Sequence, residues 1–192
     1  MLFFIRFVTY IFLAILIGFG LTALSLSTGS GLAAKRVAGW KSWKNAGHIN
    51  ADPYTRAYIA KTGQLPLPPN IVQTYYALYD NAHRRLHTSC TYVVESSAVH
   101  AKWWTLAAYN HKGEVFKNDY GRYSFNAGNS MIQFDGGFKI FLSQTVQPKN
   151  WLPLGDQGPF VLVLRLYRKQ LSEAQIKNDG EVPLPLIKRV SC

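Results

Sequence analysis

Hydrophobic residues follow two different patterns along this chain. Residues 7–26 form one uncharged apolar stretch, whereas from residue 71 onward short apolar runs alternate with polar positions. A helix of twenty residues spans a hydrocarbon core of about 30 Å and satisfies its own backbone hydrogen bonds in lipid. The first pattern therefore predicts a transmembrane helix in contact with membrane lipid, and the second predicts β-strands.

The apolar stretch also resembles the core of a signal peptide. Such cores usually have about 7–15 residues, and this one is longer, which favours a retained single-pass anchor. Small residues near Ser27 and Ala33 leave cleavage open. One arginine precedes the helix and four basic residues follow it by residue 44, so the flanking charges alone favour a cytoplasmic C-terminal side.

Residues 28–50 are rich in Gly, Ser, Ala and Lys, and they predict a linker in which Trp40 and Trp43 lie at the membrane interface. A short helix is predicted at 53–62, because Asp52 is a good N-cap and Pro53 suits the first helical position. The predicted organisation is an anchor at 1–27, a linker at 28–50 and a domain at 51–192.

The alternating runs, bounded by turn residues, recur about every ten residues. This spacing predicts an antiparallel sandwich or barrel and not a parallel sheet. The sequence Asp135-Gly136-Gly137 is a strong hairpin signal, and 171–179 predicts a further short helix. The predicted strands are 71–80, 86–96, 101–110, 138–144, 159–169 and 184–190, the last of them at an edge.

The formal charge of +11 suits an anionic membrane surface better than nucleic acid, because five of the charges lie in the first 50 residues and no basic helix with interleaved aromatics is present. Common catalytic and cofactor motifs are missing, so no cofactor is predicted. His83 and His87 lie near Cys90, but on a turn entering a strand they do not share a compact face. No metal site is predicted there.

Cys90 and Cys192 are the only two cysteines. A disulfide between them would close a loop of about 100 residues, worth roughly 4–5 kcal/mol in the chain-entropy model, and would indicate an oxidising compartment. The alternative is two unrelated thiols, one buried and one at a frayed terminus.

Two strand positions raise questions of burial. Trp103 and Trp104 are adjacent and must point to opposite faces, so one enters the core and the other lies under a covering segment or lines a groove. Arg165 lies in the apolar strand at 159–169. Since a buried guanidinium requires partners, we expect a structural tie to a carboxylate or to several carbonyls, with Asp119 or Asp135 as the first candidates. Anion binding is the alternative role.

Five motifs in order, ADPYTRAYIAKTG, AKWWTLAAYN, GRYSFN, NWLP and LRLYR, resemble the bacterial family known as domain of unknown function 1214, and most of all its short, membrane-anchored members. The resemblance covers about residues 45–170. It implies a mainly β fold, a jelly-roll-like β-sandwich preceded by a transmembrane helix and a short helix. It also implies a cell-envelope location, with the anchor in the inner membrane and the C-terminal domain in the periplasm.

The family supplies no known reaction and no catalytic residues. Six residues match its motifs and are the candidates for ligand binding or for packing: Trp104, Tyr109, Tyr123, Asn150, Trp151 and Arg165. In the NWLP motif, side-chain bonds from Asn150 and packing of Trp151 would give a complete structural account. Asn70 and His83 depart from the acidic residue and the glycine that the family pattern leads us to expect.

Three functions remain open at this point. The leading hypothesis is a membrane-tethered binding or assembly module for an envelope protein or a glycan. An alternative is an envelope enzyme acting on a saccharide or lipid-linked substrate through paired carboxylates among Glu114, Asp119 and Asp135, which glycoside hydrolysis would place about 5–9 Å apart. A further alternative is a structural subunit of a membrane complex.

Overall fold

A computed structural model describes residues 1–27, 34–43, 45–62, 66–155, 158–169 and 182–192. It contains a long apolar helix, a short helix and ten strands in the described ranges. In chain order these are α1 (Leu2–Ser27), β1 (Ala34–Val37), β2 (Trp40–Trp43), α2 (Pro53–Thr62), β3 (Val72–Ala77), β4 (Thr91–Ser96), β5 (Ala101–Asn110), β6 (Ser124–Asn126), β7 (Phe138–Ser143), β8 (Trp151–Pro153), β9 (Phe160–Lys169) and β10 (Leu186–Ser191).

The strands form two sheets that enclose one hydrophobic core. The larger sheet has the order β1-β2-β3-β9-β5-β6, and the smaller has the order β10-β4-β7-β8. Trp104 of the larger sheet stacks on Phe138 of the smaller one at 4.3 Å between ring centroids, and Tyr92 meets Phe160 edge to face at 5.7 Å. The predicted mainly β sandwich is confirmed, and its strand order is compatible with a jelly roll.

Both predicted helices are present. Leu2–Leu26 is long and apolar enough to cross a membrane, with a mean hydropathy of 2.4. The start of α2 follows from Asp52, whose carboxylate accepts bonds from the Thr55 amide at 2.9 Å and from the Thr55 hydroxyl at 2.6 Å. The helix predicted at 171–179 lies outside the described residues.

Two predictions about connectivity are corrected. Residues 34–43, assigned to the linker, form the β1–β2 hairpin at the edge of the larger sheet. Trp40 is buried in the core, and its indole donates to the Pro185 carbonyl at 2.7 Å. These contacts stabilise the short hairpin. The smaller sheet is also not wholly antiparallel, because β7 and β8 pair in parallel.

The C-terminus is fixed to the body of the sandwich by charge and by covalent bonding. Cys90 and Cys192 form a disulfide, as predicted. Asp80, almost fully buried, accepts bonds from the Ala82 and Arg84 amides at 3.0 and 2.8 Å and pairs with Arg84 Nε at 3.1 Å.

Arg189 of β10 completes this arrangement. Its Nε lies 3.2 Å from Asp80 Oδ2, at ion-pair distance but without hydrogen-bond geometry. One of its η nitrogens donates to the Arg85 carbonyl at 2.8 Å, and its guanidinium lies 5.3 Å from the Tyr92 ring centroid. We call Asp80, Arg84, Arg189 and the disulfide the C-terminal clamp.

Candidate functional site

The candidate site lies on the face of the larger sheet that points away from the core. Because side chains alternate along a strand, the leucines of β9 enter the core, while Val163, Arg165 and Tyr167 point outward. Cross-strand pairing places Thr74 and Thr105 on either side of Arg165. We call this surface the outer face.

Arg165 is half-buried rather than buried, and its contacts differ from those predicted. Its η nitrogen donates to the Tyr109 hydroxyl at 3.3 Å, and its guanidinium carbon lies 5.8 Å from the Tyr109 ring centroid. Among the residues that the structure describes, no carboxylate forms an ion pair with it. Asp119 is exposed and Asp135 instead accepts the Gly137 amide at 2.9 Å, so the expected tie to either is wrong.

Tyr76 lies close enough to Arg165, Tyr109 and Tyr58 for their charges to interact. Burial is the main cause that raises the pKa of Tyr76 above 10.0, with smaller increases from Tyr58 and Tyr109, and the positive charge of Arg165 only partly opposes it. Burial also raises the pKa of Tyr58. These two phenols therefore remain neutral hydrogen-bond donors throughout the physiological pH range.

The hairpin and α2 close one side of this cluster. Trp43 stacks on Tyr58 of α2 at 4.6 Å between ring centroids, and Tyr76 meets Trp43 edge to face at 5.7 Å. Lys41 Nζ lies 4.8 Å from the Trp43 ring centroid, and burial, followed by the charge of Arg36, lowers the pKa of Lys41. The phenols are thus held by packing on two sides.

Trp103 extends the outer face beyond Arg165. It pairs with Tyr167 across the sheet and is a diagonal neighbour of Arg165, which corresponds to about 7–8 Å between their backbone positions. Its side chain is 44 % exposed, whereas Trp104 is 5 % exposed in the core. A Cβ built on Gly128 would come within 2.9 Å of the Trp103 ring, so this glycine lets the indole lie against the turn.

The chemistry of the outer face is that of hydrogen-bond donation beside an aromatic surface. A guanidinium has five N–H donors and fits carboxylate, sulfate or phosphate groups. An exposed indole stacks on the apolar face of a flat ligand. The arrangement suits a ligand that combines an anionic or oxygen-rich group with a ring.

The six candidate residues taken from the sequence do not meet in one site. Arg165 and Tyr109 lie together on the outer face, Trp104 lies in the core, and Tyr123 is exposed just before β6. Asn150 and Trp151 lie at the β8 edge of the smaller sheet. Trp151 is buried, with its indole donating to the Ser143 carbonyl at 3.0 Å and its ring 5.0 Å from that of Tyr120.

Asn150 has the side-chain-to-backbone bonds that the sequence analysis expected. Its amide oxygen accepts from the Met131 amide at 2.8 Å, and its amide nitrogen donates to the carbonyls of Met131 at 2.8 Å and Lys139 at 3.0 Å. These bonds account for Asn150 structurally, because they join the segment before β7 to the start of β8.

The acidic residues considered for catalysis have structural surroundings. Glu114 accepts from the Asn110 side chain at 3.1 Å within the turn that follows β5, and Asp135 bonds within its own turn. The described ranges contain no cluster of three metal-ligating side chains. Cys90 is bonded to Cys192, and His87 Nδ1 lies 2.8 Å from the Ser89 hydroxyl.

Sequence reasoning missed the aromatic residues that surround Arg165. Alternation in β3 places Tyr76 opposite to the core residue Tyr75, so its outward position could have been predicted from the pattern. Trp43 and Tyr58 could not, because their stacking depends on how α2 folds back over the hairpin.

Comparisons with known proteins find a matching family model and similar solved structures. A family model described as protein of unknown function (DUF1214) matches residues 72–170, which is about half of the chain. The VPA0106 protein from Vibrio parahaemolyticus has a similar structure, with a TM-score of 0.59 and 26 % identity over 74 % of this chain. A putative uncharacterized protein from Burkholderia cenocepacia matches with a TM-score of 0.44 and 18 % identity over 88 % of the chain.

The chain spans little more than a third of the length of these two solved structures, 36 % and 39 % respectively. No curated protein matches it. Because the family model covers the strands from β3 to β9, the chain belongs to the DUF1214 family of proteins of unknown function.

Proposed function

We propose that this DUF1214 member is a membrane-anchored binding module of the cell envelope, and that its outer face binds an acidic glycan. Three features support the anchor and its location. They are the apolar helix α1, the family resemblance and the disulfide, which is typical of an oxidising compartment such as the periplasm. The disulfide supports an orientation with the domain in the periplasm, whereas the flanking positive charges favour the opposite one.

The single observation that supports the binding role is that no carboxylate pairs with Arg165 in the described structure. A charged group that is withdrawn from water as a structural tie needs a carboxylate or several carbonyls, and Arg165 is half-buried. Arg165 instead has one phenol as its hydrogen-bond partner in the described structure, with neutral tyrosines around it. A carboxylate on a ligand would supply the missing countercharge through charge-assisted bonds.

The exposed indole of Trp103 explains why the ligand is a sugar rather than a free anion. It offers a flat apolar surface diagonal to the cation. A uronic acid stacked on this ring would direct its carboxylate toward Arg165. The ligand would then use both groups of the outer face at once.

A binding assay on the full chain in lipid nanodiscs tests the proposal, with oligogalacturonate as the acidic probe and neutral oligogalactose as its counterpart. The wild type should prefer the acidic probe. Arg165→Gln should weaken that binding about tenfold or more, since bonds to a charged group contribute about 1.5–3 kcal/mol. Trp103→Ala should weaken both probes about threefold or more.

Arg168→Gln is the matched control, because Arg168 lies on the same strand but is exposed at its end. This variant should bind as the wild type does. Equal binding of both probes by the wild type, or equal losses in Arg165→Gln and Arg168→Gln, would contradict an acidic-glycan site on the outer face.

A further inference from the structure

A second surface, at one end of the smaller sheet, presents apolar side chains to water. Met131, Ile132 and Phe134 are all exposed, and Phe134 is fully so. A cavity of about 400 Å³ lies between these residues, Phe141 and Lys149. We call Met131, Ile132 and Phe134 the apolar turn. Exposed apolar groups that cluster in this way mark interaction surfaces.

The apolar turn is held in place rather than left loose. The Asn150 side chain bonds to both backbone groups of Met131, and Ile132 forms an isolated β-bridge with Phe138. The Gln133 amide donates to the Gly137 carbonyl at 2.8 Å. Several hydrogen bonds therefore fix a turn whose apolar side chains remain largely exposed to water.

Lysines border the apolar turn. Lys149 is exposed beside the cavity, and Lys139 lines it while pairing with Glu95 at 2.9 Å. Glu95 is shared with Lys188 at 2.7 Å and Asp135 lies beside Phe134, so the lysines Lys139, Lys149 and Lys188 still outnumber the carboxylates on this side of the smaller sheet. Apolar side chains beside cations match the acyl chains and headgroups of an anionic bilayer surface.

The tether confines the domain to the membrane. Ser27 ends α1 and Ala34 begins β1, so seven peptide steps of at most about 25 Å separate the apolar helix from the sandwich. Ala34 pairs with Trp43 in the β1–β2 hairpin. The end of the sandwich that holds this pair is therefore the end nearest the bilayer.

The apolar turn lies at that same end. The Trp43 carbonyl accepts from Gln73 Nε2 at 3.3 Å, and Gln73 and Trp104 occupy one cross-strand row of the larger sheet. Trp104 stacks on Phe138 of the smaller sheet, and Phe138 bridges to Ile132 of the apolar turn. A continuous row of contacts thus links the point of tethering with the exposed surface.

We propose that the apolar turn inserts into the anionic membrane surface and seats the tethered domain on the bilayer, with Phe134 at the point of insertion and Lys149 on the headgroups. The proposal rests on the membrane anchoring proposed above and is independent of glycan binding. Seating fixes which end of the sandwich faces the lipid and leaves the turn after β5, at the opposite end, directed away from it.

The full chain reconstituted into vesicles tests the proposal through an added tryptophan. In vesicles that contain phosphatidylglycerol, the fluorescence that Phe134→Trp adds to that of the wild type should be blue-shifted. Brominated acyl chains should quench it. Tyr79→Trp is the control, because Tyr79 is exposed and follows the end of β3 that lies away from Trp43 and the tether. Its added emission should stay unquenched.

A charge reversal separates insertion from accidental contact. Adding Lys149→Glu to Phe134→Trp should lower the seated fraction at least about fivefold relative to the unseated one, because the loss of one cation near an anionic surface removes about 1 kcal/mol and the added carboxylate repels the headgroups. Lys112→Glu is charge-matched and lies in the turn after β5, so it should have no such effect.

The outcomes distinguish the two proposals. If the chain does not float with the vesicles, the anchor is wrong and the seating proposal has no basis. If it floats and the tryptophan at 134 remains unquenched, the anchor stands and membrane seating is wrong. A blue shift without bromolipid quenching would mean that a second copy of the chain covers the turn, which also overturns the proposal.

Discussion

The two arginines that lie against tyrosine rings in this domain have opposite surroundings. Arg189 in the C-terminal clamp has the buried Asp80 carboxylate at 3.2 Å and the Arg85 carbonyl at 2.8 Å. Arg165 on the outer face has the Tyr109 hydroxyl. The clamp shows how this fold neutralises a cation that serves stability, which makes the lack of a carboxylate beside Arg165 in the described structure informative about its role.

The two arginines also represent two kinds of residue within one domain. The clamp gathers its groups from the β3–β4 turn and the C-terminal strand and links them covalently. The outer face gathers aromatic side chains on central strands and leaves part of Trp103 in water. Changes in the clamp should therefore lower stability and leave binding unchanged. Changes on the outer face should weaken binding and leave stability nearly unchanged.

The largest expected effect is the loss of the disulfide. Cys90 and Cys192 are separated by 102 residues, and in the chain-entropy model such a bridge contributes about 4–5 kcal/mol. Cys192→Ser should lower the free energy of unfolding by about 4 kcal/mol in denaturant titrations of the full chain. Reduced wild type should show a similar loss. A change below about 1 kcal/mol would mean that the ion pairs alone hold the terminus.

Removal of the clamp carboxylate should have the next largest effect. Asp80→Ala leaves Arg189 without its countercharge and the Arg84 amide without its acceptor, which corresponds to about 3 kcal/mol of destabilisation. Arg165→Gln is the matched change on the outer face and should alter stability by less than about 1 kcal/mol. Equal losses in the two variants would show that Arg165 is a structural tie after all.

Acid should weaken the clamp in a predictable direction. Burial tends to raise the pKa of Asp80, but bonds from Arg84 and the charges of Arg84 and Arg189 outweigh it, so the pKa lies below its ordinary value of 3.8. A lowered folded-state pKa stabilises the protein above the unfolded-state value, and this stability is lost as the pH falls through the folded-state value. As the pH falls below about 5, the free energy of unfolding should therefore decrease more in the wild type than in Asp80→Ala.

Much of the fold follows from the sequence, because burial on one face of a strand leaves a period of two. The bounds of α2, β5 and β9 agree with the pattern to within a residue. The β1–β2 hairpin was missed because four residues such as WKSW are too short to establish a period. The parallel pairing of β7 with β8 depends on the whole layout of the smaller sheet, and local pattern carries no trace of it.

The candidate site was only partly predictable. Arg165 stands out because a charge interrupts an apolar strand, but its partner was wrongly assigned, since sequence does not show which loops fold over a central strand. The buried carboxylate of Asp80 was missed altogether. In a turn sequence such as YDNAHRR it looks like any solvated turn residue, and its burial arises only when β10 packs against it.

The smallest predicted effect concerns His83, which lies in the turn between Asp80 and Arg84 of the C-terminal clamp. This residue has a φ of +58°, in the left-handed region that favours glycine. His83→Gly should raise the free energy of unfolding by about 0.5–1 kcal/mol, after the entropy that glycine adds to the unfolded chain is taken into account. Ala82→Gly, at an ordinary φ, is the control and should destabilise. Destabilisation by both would show that the His83 side chain contributes more than its backbone strain.

The most direct test of the distinction between clamp and outer face is an NMR titration of the full chain with oligogalacturonate. The side-chain N–H signals of the arginines and tryptophans report on each region separately. We expect the signals of Arg165 and of the Trp103 indole to shift, and those of Arg189 and the buried Trp40 and Trp151 to stay unchanged. Shifts at Arg189 or Trp151 in the absence of any at Arg165 would contradict the assignment of the outer face as the binding surface.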